Sequence, residues 1–343
     1  MKKKFLASWL AILSATSLLI TGCGSQQGAA GNTPAQADGR QIVLKAGNNQ
    51  VADYPHSKII HHFAKRVGEL SNNRIKVEVF DSSSLGQEEE LFQAMRVGSL
   101  DMGKIITSVA GKAVPSFQAF DLPYLFKDRE HMFSVLNGPV GEKMLKELEE
   151  KAGVKGLIWM DQGTRNLYTV DKPVKAPADM KGLKIRVIKS PIMVDTINAM
   201  GGAATPMAYG DLYSSFKQKI VDGAENSADS VYYSKHHEVV KYFSMTEHFR
   251  TPCLFMISMK TWNKLSPEDQ KLVLAAAKEA SEWGKDLYQD EVDKLMGEIQ
   301  KSGLQVIKDV DVEAFKKSVQ PVYEKHQNQI GADLIKSIQQ ATN

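Results

Sequence analysis

Cysteine is almost absent from this chain of 343 residues. The two cysteines are Cys23, near the N terminus, and Cys253, inside an apolar run that is typical of a strand. With so few cysteines, a fold stapled together by disulfides is excluded. The apolar surroundings of Cys253 predict a small buried side chain and argue against a nucleophile.

Motifs of catalysis and of cofactor binding are also missing from the sequence. It contains no glycine-rich phosphate loop, no nucleophile elbow and no zinc-binding helix motif. Its histidines include two adjacent pairs, His61-His62 and His236-His237, and adjacent residues of a helix point in different directions. We therefore predict no metal site, no cofactor and no catalytic residue.

A large excess of one charge is the third absence. The chain has 43 lysines and arginines against 40 aspartates and glutamates. Three of the basic residues are Lys2, Lys3 and Lys4, so removal of an N-terminal signal would leave 40 of each sign. A neutral mature chain has no electrostatic footprint for nucleic acid, so we expect no nucleic-acid partner.

A long apolar run is present at the N terminus. Residues 5–20 follow the three lysines and are too few for a comfortable membrane span, which predicts an export signal. The run ends in Leu-Ile-Thr-Gly-Cys, which resembles a bacterial lipobox with Cys23 as the lipid-modified residue. This pattern predicts a lipoprotein signal peptide over 1–22 and a flexible tether over 23–40. The alternative is an ordinary cleaved signal with an incidental cysteine.

Hydrophobic periodicity alternates between strand and helix beyond the tether. Residues 42–47 form a predicted buried strand, and Pro55 opens a helix with apolar residues on one face. Residues 75–79 alternate with period two, and a helix over 88–97 leads to a strand over 100–106. This order predicts an α/β fold with mainly parallel sheets. Roughly 300 ordered residues are enough for two lobes, each with its own core.

The C-terminal part of the chain contains a long helical pattern. Ser266 is suited to cap its start, Pro267 suits its first turn, and apolar residues recur as far as Ile299. Unbroken to Lys301, this helix would be about 50 Å long, which is enough to run along two lobes.

A faint internal repeat also favours two lobes of similar plan. Residues 90–101 and 211–222 share a helix-to-strand pattern at a constant offset of 121 positions, and Glu88 then corresponds to Tyr209. The alternative is a chance similarity between two amphipathic helices.

Two arginines lie among strand and turn residues and not within charged surface runs. Arg165 follows a Gly-Thr turn, and Arg186 follows the strand pattern Leu-Lys-Ile. An arginine at a strand end can point its planar guanidinium into a cleft and bind a carboxylate through two parallel hydrogen bonds. This arrangement predicts capture of an organic acid without chemical change. The alternative is that both arginines pair with surface carboxylates.

Seven short motifs, in this order and spacing, carry a resemblance to a known family. They are Leu85-Gly86-Gln87-Glu88, Gly98-Ser99-Leu100-Asp101, Phe120-Asp121-Leu122-Pro123-Tyr124-Leu125-Phe126, Gly163-Thr164-Arg165, Asp179-Met180-Lys181-Gly182-Leu183-Lys184-Ile185-Arg186, Ala204-Thr205-Pro206-Met207 and Asp222-Gly223-Ala224-Glu225-Asn226. From about residue 42 to residue 336 the chain resembles the solute-binding proteins of TRAP transporters, a tripartite, ATP-independent family driven by ion gradients. The resemblance implies a receptor outside the cytoplasm that delivers a solute to membrane permease subunits.

The resemblance also implies an architecture. Family members have a two-lobed periplasmic-binding-protein-like fold, similar to type II, in which each lobe is a mixed, mainly parallel sheet flanked by helices. A long C-terminal helix spans both lobes, as the helical pattern above predicts. For this chain we expect lobe I over 41–162 and 252–290, and lobe II over 163–251 and 291–338.

Three residues are implied to hold the carboxylate of the ligand. Arg186 matches the family's arginine that forms a two-pronged bond with this group. Arg165 matches a second arginine that supports the same group or a neighbouring oxygen. Asn226 matches an asparagine that holds the carboxylate from the other side.

Four further residues are implied to line the rest of the cleft. Glu88 and Asn49 match positions that reach sugar hydroxyls or polar tails. Tyr209 matches an aromatic position that lines the cleft. Ser108 follows the strand that ends near Ile106 and is expected to line it as well.

The motifs are most similar to those of family members that bind hexuronates, sugar acids such as glucuronate and galacturonate. Receptors for four-carbon dicarboxylates, or for another organic acid of the diketogulonate type, are the alternative within the family. Outside it, an exported uronate lyase would need a catalytic base, and the sequence singles out none. A scaffold protein with a blocked cleft is the third hypothesis.

Overall fold

The computed structural model describes residues 41–341, apart from the side chains at positions 286, 289 and 293. The predicted signal peptide, Cys23 and the predicted tether lie outside these residues. Within them the strands are β1 Ile42–Gly47, β2 Ile75–Phe80, β3 Met102–Ile106, β4 Val154–Met160, β5 Arg165–Thr169, β6 Lys184–Val187, β7 Ala203–Pro206, β8 Gly223–Asn226, β9 Tyr242–Phe249, β10 Cys253–Ser258 and β11 Gln305–Ile307. The α-helices are α1 Pro55–Leu70, α2 Glu88–Val97, α3 Thr107–Ala110, α4 Arg129–Leu136, α5 Pro139–Ala152, α6 Pro191–Ala199, α7 Leu212–Lys217, α8 Ala228–Tyr233, α9 Met259–Trp262, α10 Pro267–Lys301, α11 Val312–Ser318, α12 Gln320–Ile330 and α13 Ala332–Gln340.

These strands form two mixed sheets, and each sheet contains one antiparallel strand. The first sheet has the order β2-β1-β3-β10-β4, in which β10 runs antiparallel to both of its neighbours. The second has the order β11-β9-β5-β8-β6-β7, in which β5 runs antiparallel to both of its neighbours. The other pairings of the described strands are parallel. The predicted α/β fold with mainly parallel sheets is confirmed.

The chain crosses between the two sheets by two short segments and one helix. Residues 161–164 join β4 of the first sheet to β5 of the second, and residues 250–252 join β9 back to β10. The two antiparallel strands are therefore the strands that follow the short crossovers. The third crossing is α10, because it follows the first sheet and leads to β11 of the second.

The long C-terminal helix is confirmed, since α10 runs for 35 residues. The Oγ of Ser266 accepts a hydrogen bond from the backbone N–H of Asp269 at 3.1 Å, and Pro267 lies in the first turn. Gly284 lies in the middle of the helix, where a Cβ would be 2.5 Å from Ile59 Cδ1 of α1. Glycine therefore permits close packing of α1 and α10 instead of breaking the helix. None of the helices described between residues 41 and 341 combines the length and apolar character needed to cross a membrane.

The helix α1 lies between α10 and the first sheet, with the apolar face that its periodicity predicts turned inward. Ile59, Ile60, Phe63 and Val67 are all buried. The ring of Phe63 meets that of Phe255 in β10 edge to face, with 5.2 Å between the ring centroids. This packing joins the long helix to the first sheet through a continuous apolar layer.

The last two helices contact different parts of the molecule. His326 in α12 bonds to Asp195 in α6 with 2.6 Å between Nε2 and Oδ2. His131 in α4 donates from Nε2 to the carbonyl oxygen of Ile338 in α13 at 2.9 Å. Since α6 packs beside the second sheet and α4 and α5 beside the first, the C-terminal segment touches both halves. The exact bounds of the two lobes stay a prediction.

Candidate functional site

A cavity lies between the two sheets. One side, the first wall, consists of lining residues before position 110, and the opposite side, the second wall, consists of lining residues after position 164. Six of the seven predicted site residues line this cavity: Asn49, Glu88, Arg165, Arg186, Tyr209 and Asn226. Residues before and after the first crossover therefore meet at one place, although up to 177 positions (226 − 49) separate them along the chain.

The first wall depends on the turn that begins α2. Gly86 has φ of +114°, a conformation that favours glycine, and it precedes the helix by two positions. The backbone N–H of Gln87 donates to Glu90 Oε2 at 2.8 Å, which stabilises the first turn of the helix. Glu88 is thereby held as the first residue of α2, facing the cavity.

Arg186, in β6, is buried in the second wall with only 2% of its surface exposed. Its Nε and Nη2 donate to the carbonyl oxygen of Met207, at 3.2 and 2.8 Å. Its Nη1 is buried and has no hydrogen-bond partner in the described part of the chain. Burial lowers the pKa of Arg186 from its ordinary value. Within residues 41–341 no carboxylate lies within 4.0 Å of this guanidinium, so it forms no ion pair with the protein.

Arg165, at the start of β5, is also buried, but its charge is compensated. Its Nε and Nη2 donate to Glu225 Oε2 and Oε1, at 2.5 and 2.8 Å. Nη2 also donates to the backbone carbonyl of Glu225 at 2.9 Å, and Nη1 donates to Asn226 Oδ1 at 2.9 Å. Burial alone would lower the pKa of Arg165, but the ion pair with Glu225 outweighs it and raises the pKa. The fork of Arg165 is therefore occupied by a carboxylate of the protein itself.

Asn226, at the end of β8, presents its amide nitrogen to the cavity. Its Oδ1 accepts hydrogen bonds from Arg165 Nη1 and from the backbone N–H of Ser227, both at 2.9 Å. These two donors assign the orientation of the amide, because an amide nitrogen cannot accept them. Nδ2 then remains as a donor without a partner among the residues described.

A fully buried lysine, Lys104 in β3, supports the first wall. Its Nζ donates to Glu88 Oε1 at 2.9 Å and to Asn49 Oδ1 at 3.0 Å. The backbone N–H of Ile106 also donates to Glu88 Oε1, at 3.2 Å. Burial alone would lower the pKa of Lys104, but the neighbouring Glu88 outweighs it and raises the pKa. Sequence reasoning missed this residue, although a single charge inside the apolar strand Met102–Ile106 is a signal of it.

Tyr209 contributes its ring to the second wall and uses its hydroxyl elsewhere. The hydroxyl donates to the carbonyl oxygen of Ser230 at 3.2 Å and lies 2.6 Å from Ser234 Oγ. The ring centroid lies 5.7 Å from Cζ of Arg186, within the range of a cation–π contact. Burial raises the pKa of Tyr209, so the hydroxyl stays neutral. The ring therefore forms an uncharged surface beside the free guanidinium.

Ser108, the seventh predicted residue, is not among the residues that line the cavity. It lies in α3, and its Oγ donates to Asp121 Oδ1 at 2.5 Å. Ser190, the N-cap of α6, donates to Asp121 Oδ2 at 2.7 Å. Burial raises the pKa of Asp121 to about 6. Ser108 thus takes part in a bridge between elements beside the two sheets, because α3 begins at Thr107 and directs its side chain away from the cavity.

Two glutamines that sequence reasoning did not single out also line the cavity, Gln50 and Gln162. Gln162 is 4% exposed, and its Oε1 is buried without a partner in the region from 41 to 341. No motif marks either residue as a ligand contact. Only the position of residue 162, beside the predicted Gly163-Thr164-Arg165 motif, could have indicated it.

The two short crossovers are bonded to each other beside the cavity. Arg250, in the second crossover, donates from Nη1 to Asp161 Oδ2 at 2.9 Å, and its Nη2 bonds to Thr164. Arg129 donates from Nε to the same Asp161 oxygen at 3.1 Å. The backbone N–H of Gly163 donates to Asp161 Oδ1 at 2.8 Å. The backbone on both sides of residue 162 is therefore fixed by hydrogen bonds.

A second cavity lies under α10 and includes His56, Trp159 and Tyr288 in its lining. None of the seven predicted site residues lines it.

Three buried histidines of the interior are uncharged. Burial lowers the pKa of His56, and likewise of His236 and His248, to about 3 in each case. These imidazoles are therefore neutral at neutral pH and add no positive charge to the interior. Among residues 41–341 no group of three or more histidine, cysteine, aspartate or glutamate side chains could hold a metal ion.

Comparison with known sequences connects this geometry to a family. Residues 46–330 match the family model described as bacterial extracellular solute-binding protein, family 7. A solute-binding protein of Chromohalobacter salexigens is 34% identical over 294 residues, which cover 86% of both chains. The 2,3-diketo-L-gulonate-binding periplasmic protein of Escherichia coli is 31% identical, covering 81% of this chain and 87% of its own. A C4-dicarboxylate-binding protein of Bacillus subtilis is 28% identical, covering 87% of this chain and 86% of its own.

Solved structures share the fold as well. A TRAP periplasmic solute-binding protein from Sulfitobacter sp. NAS-14.1, with bound β-D-galacturonate, has a TM-score of 0.85 and 34% identity. One from Chromohalobacter salexigens, with bound D-glucuronate, has a TM-score of 0.85 and 33% identity. Both comparisons cover 87% of this chain and 100% of the other. One from Polaromonas sp. JS666, bound to D-erythronate, has a TM-score of 0.85 and 32% identity over 88% of this chain and 100% of its own.

Proposed function

Because this chain belongs to family 7 of the bacterial extracellular solute-binding proteins, the solute receptors of TRAP transporters, we propose that it captures a hexuronate such as glucuronate or galacturonate. The sugar acid binds in the cavity between the two sheets and is then delivered to the permease subunits in the membrane. Two similar proteins of known structure hold these two sugar acids, which supports the choice of ligand class.

One observation carries the proposal: Arg186 is the single buried cation of the cavity lining without a carboxylate partner in the described chain. Arg165 is neutralised by Glu225, and the lysine behind the first wall is neutralised by Glu88. Lys189 also lines the cavity but is exposed to solvent at its rim. A buried charge is stable only when it is paired, so the interior is suited to a ligand with one negative charge.

The free polar atoms of the second wall are suited to a carboxylate. Arg186 offers Nη1 and Asn226 offers Nδ2, and both are donors. Hydrogen bonds between a charged donor and a carboxylate are roughly twice as strong as neutral ones. We therefore assign the carboxylate end of the ligand to Arg186, with Asn226 as the second donor. Arg165 acts indirectly, because its bond to Asn226 Oδ1 orients that amide.

The free atoms of the first wall are suited to hydroxyl groups. Glu88 uses Oε1 for its internal bonds, and Asn49 uses Oδ1, which leaves Glu88 Oε2 as an acceptor and Asn49 Nδ2 as a donor. A hydroxyl both donates and accepts, so it can satisfy either atom. A ligand that lacked the matching hydroxyl would leave a buried group unpaired, at a cost of about 1–3 kcal/mol.

The charges that line the cavity also distinguish between the alternative ligands known within the family. A four-carbon dicarboxylate brings a second negative charge, and Lys104, the buried cation behind the first wall, is already paired with Glu88. A diketogulonate-type acid carries one carboxylate, so the charge balance accepts it as well as a hexuronate. It is the second candidate, supported by the similarity to the Escherichia coli protein.

We propose further that the site binds its ligand without transforming it. The carboxylates that line the cavity are those of Glu88 and Glu89. Glu88 is paired with the buried Lys104, and Glu89 with Lys112 at 3.2 Å. Although Glu88 Oε2 is free to accept a hydrogen bond from a hydroxyl, a carboxylate that is ion-paired with a buried lysine is a poor candidate for a general base.

The N-terminal features complete the proposal. Cleavage before Cys23 and lipid modification of that cysteine would anchor the protein to the membrane surface, with 23–40 as a tether. The tether would leave the receptor free to reach the permease. Lobe I over 41–162 and 252–290 and lobe II over 163–251 and 291–338 would then move as hinged halves about the crossovers at 161–164 and 250–252.

Thermal melting with a matched ligand panel tests the proposed function. Glucuronate and galacturonate at one hundred times their dissociation constants should stabilise the protein by about 2.7 kcal/mol. Glucose is the matched control, because it lacks the carboxylate, and succinate tests the second charge. Stabilisation by succinate but not by the uronates would contradict the charge argument. An unchanged Tm with every acid, 2,3-diketogulonate included, would reject the receptor function.

A further inference from the structure

Gln162 is a buried residue of the cavity lining whose side chain has an unsatisfied polar atom among the residues described. It is 4% exposed, and its Oε1 has no hydrogen-bond partner among residues 41–341. The same residue lines the cavity that contains the free guanidinium of Arg186. Buried amides in proteins are nearly always hydrogen-bonded, because an unpaired one loses its bonds to water and gains nothing.

The position of Gln162 is determined by its neighbours on both sides. Asp161 is bonded to Arg129 and Arg250, and it accepts the backbone N–H of Gly163 at 2.8 Å. Gly163 has φ of +73°, a conformation that favours glycine. A Cβ at position 163 would lie 2.7 Å from Tyr288 Oη, so the backbone has little room to shift. The amide of Gln162 is therefore held against the cavity by a rigid turn and not by a bond of its own.

We propose that Gln162 is a specificity-determining residue that hydrogen-bonds a hydroxyl of the ligand beside the carboxylate bound by Arg186. This inference rests on the proposed function and extends it to a named contact. An amide has a donor and an acceptor, as a hydroxyl has, so one hydroxyl can satisfy Oε1 without adding charge. An uncharged contact also preserves the single positive charge that suits a monoanionic ligand.

The proposed contact predicts that replacing Gln162 affects stability and affinity differently. Without ligand, the buried amide is a cost to the folded protein, so replacing it with an apolar side chain of similar shape should not destabilise the protein. With ligand, the same replacement leaves the ligand hydroxyl unpaired and lowers the affinity. A purely structural role for Gln162 predicts the opposite result, a lower Tm without ligand.

The test compares Gln162→Met with the parent and with Gln93→Met, an exposed glutamine on α2. Isothermal titration with glucuronate should give a Kd about tenfold to hundredfold higher for Gln162→Met. Gln93→Met should retain the Kd of the parent. The ligand-free Tm of Gln162→Met should equal or exceed that of the parent.

Deoxy analogues identify the contact itself. The parent and Gln162→Met are titrated with 2-deoxy-, 3-deoxy- and 4-deoxyglucuronate, and the difference between the two proteins should vanish with the 4-deoxy compound, because the 4-hydroxyl neighbours the ring carbon that carries the carboxylate. An equal loss with all three, or an unchanged Kd with glucuronate, would overturn the inference while leaving the receptor function intact. If the parent itself binds no sugar acid, the proposed function fails and this inference fails with it.

Discussion

The two walls of the cavity treat their buried charges differently. Behind the first wall Lys104 is bonded to Glu88 and Asn49, so its charge is neutralised inside the protein. In the second wall Arg186 is bonded only to a backbone carbonyl, and its Nη1 has no partner in the described residues. Pairing offsets the desolvation cost of a buried charge, whereas an unpaired buried charge destabilises the fold until a ligand arrives. The first wall therefore contributes rigidity and hydroxyl recognition, and the second contributes the attraction for the anion.

The two arginines of the second wall also differ from each other in how their charges are paired. Arg165 and Arg186 are 21 positions apart (186 − 165), both are buried, and both lie in the second sheet. Within residues 41–341, Arg165 has a carboxylate, Glu225, in contact with its guanidinium, and Arg186 has none. Residue type and burial are alike, so the difference in expected role comes entirely from the neighbours.

Glu88→Gln should have the largest effect on stability, because it leaves the first wall, like the second, with a buried cation that has no carboxylate partner. The substitution leaves Lys104 as a buried cation without its carboxylate and should lower the free energy of unfolding by about 3 kcal/mol. Urea denaturation with an unchanged m value measures this loss. The double variant Lys104→Met/Glu88→Gln should recover most of it.

The neighbouring carboxylate provides the control. Glu89 pairs with Lys112, whose side chain is 45% exposed, so Glu89→Gln should change stability by less than about 1 kcal/mol. Equal effects of Glu88→Gln and Glu89→Gln would show that the buried pair contributes no more than a surface pair.

Arg186→Lys should have the second-largest effect. It should weaken the binding of the ligand and leave the stability nearly unchanged. Lysine retains the charge but loses the planar fork, so the Kd for a hexuronate should rise about 100-fold. The Tm should change little, because the lost bonds are those to one backbone carbonyl. Titration calorimetry and thermal melting measure the two quantities separately.

Arg165→Lys is the matched variant for that comparison. It removes the two-pronged ion pair with Glu225, so it should lower the Tm more than Arg186→Lys does. Its effect on affinity should be smaller, since Arg165 reaches the ligand site through Asn226. A larger loss of affinity for Arg165→Lys would reverse the roles that we assign to the two arginines.

The smallest effect is expected at the bridge beside the cavity, where Ser108 and Ser190 both bond to Asp121. Burial raises the pKa of Asp121 to about 6, from 3.8 when exposed. Between these values the folded state holds more protons than the unfolded state, so this group makes stability fall as pH rises. From pH 5 to pH 7 its contribution should fall by about 1 kcal/mol.

Asp121→Asn tests this pH dependence, because asparagine does not titrate in the range. The stability of the parent relative to the variant should be about 1 kcal/mol greater at pH 5 than at pH 7. Urea unfolding at both pH values measures the difference, with Ser190→Ala as a control that keeps the carboxylate. A difference that does not change with pH, or one that grows towards pH 7, would contradict the assignment.

Much of the fold was predictable because its signals are local. The start of α10 is encoded by the capping Ser266 and by Pro267, and the burial of α1 follows from its apolar period. The sites of Arg186 and Asn226 were predictable for a related reason. Arg186 lies in a strand that is recognised from its own residues, and Asn226 lies in a short motif that carries the resemblance to the family.

Other features depended on contacts between distant segments. The bond of Arg165 to Glu225 follows from the antiparallel pairing of β5 with β8, which sets Leu167 opposite Glu225. No local pattern reveals which strands become neighbours. Ser108 was placed in the cleft because it follows a strand, but the turn into α3 directs it to Asp121 instead.

The sequence by itself determined the α/β elements, the long helix and the presence of arginines at strand positions, since these depend on the order of neighbouring residues. Only the tertiary structure decided which buried charges are neutralised. Lys104 and Glu88 are 16 positions apart and Arg165 and Glu225 are 60 apart, and each pair meets only in the folded chain. Arg186 has no such partner in the described region because the fold brings no carboxylate to it, and its free Nη1 is therefore the group we expect an anionic ligand to occupy.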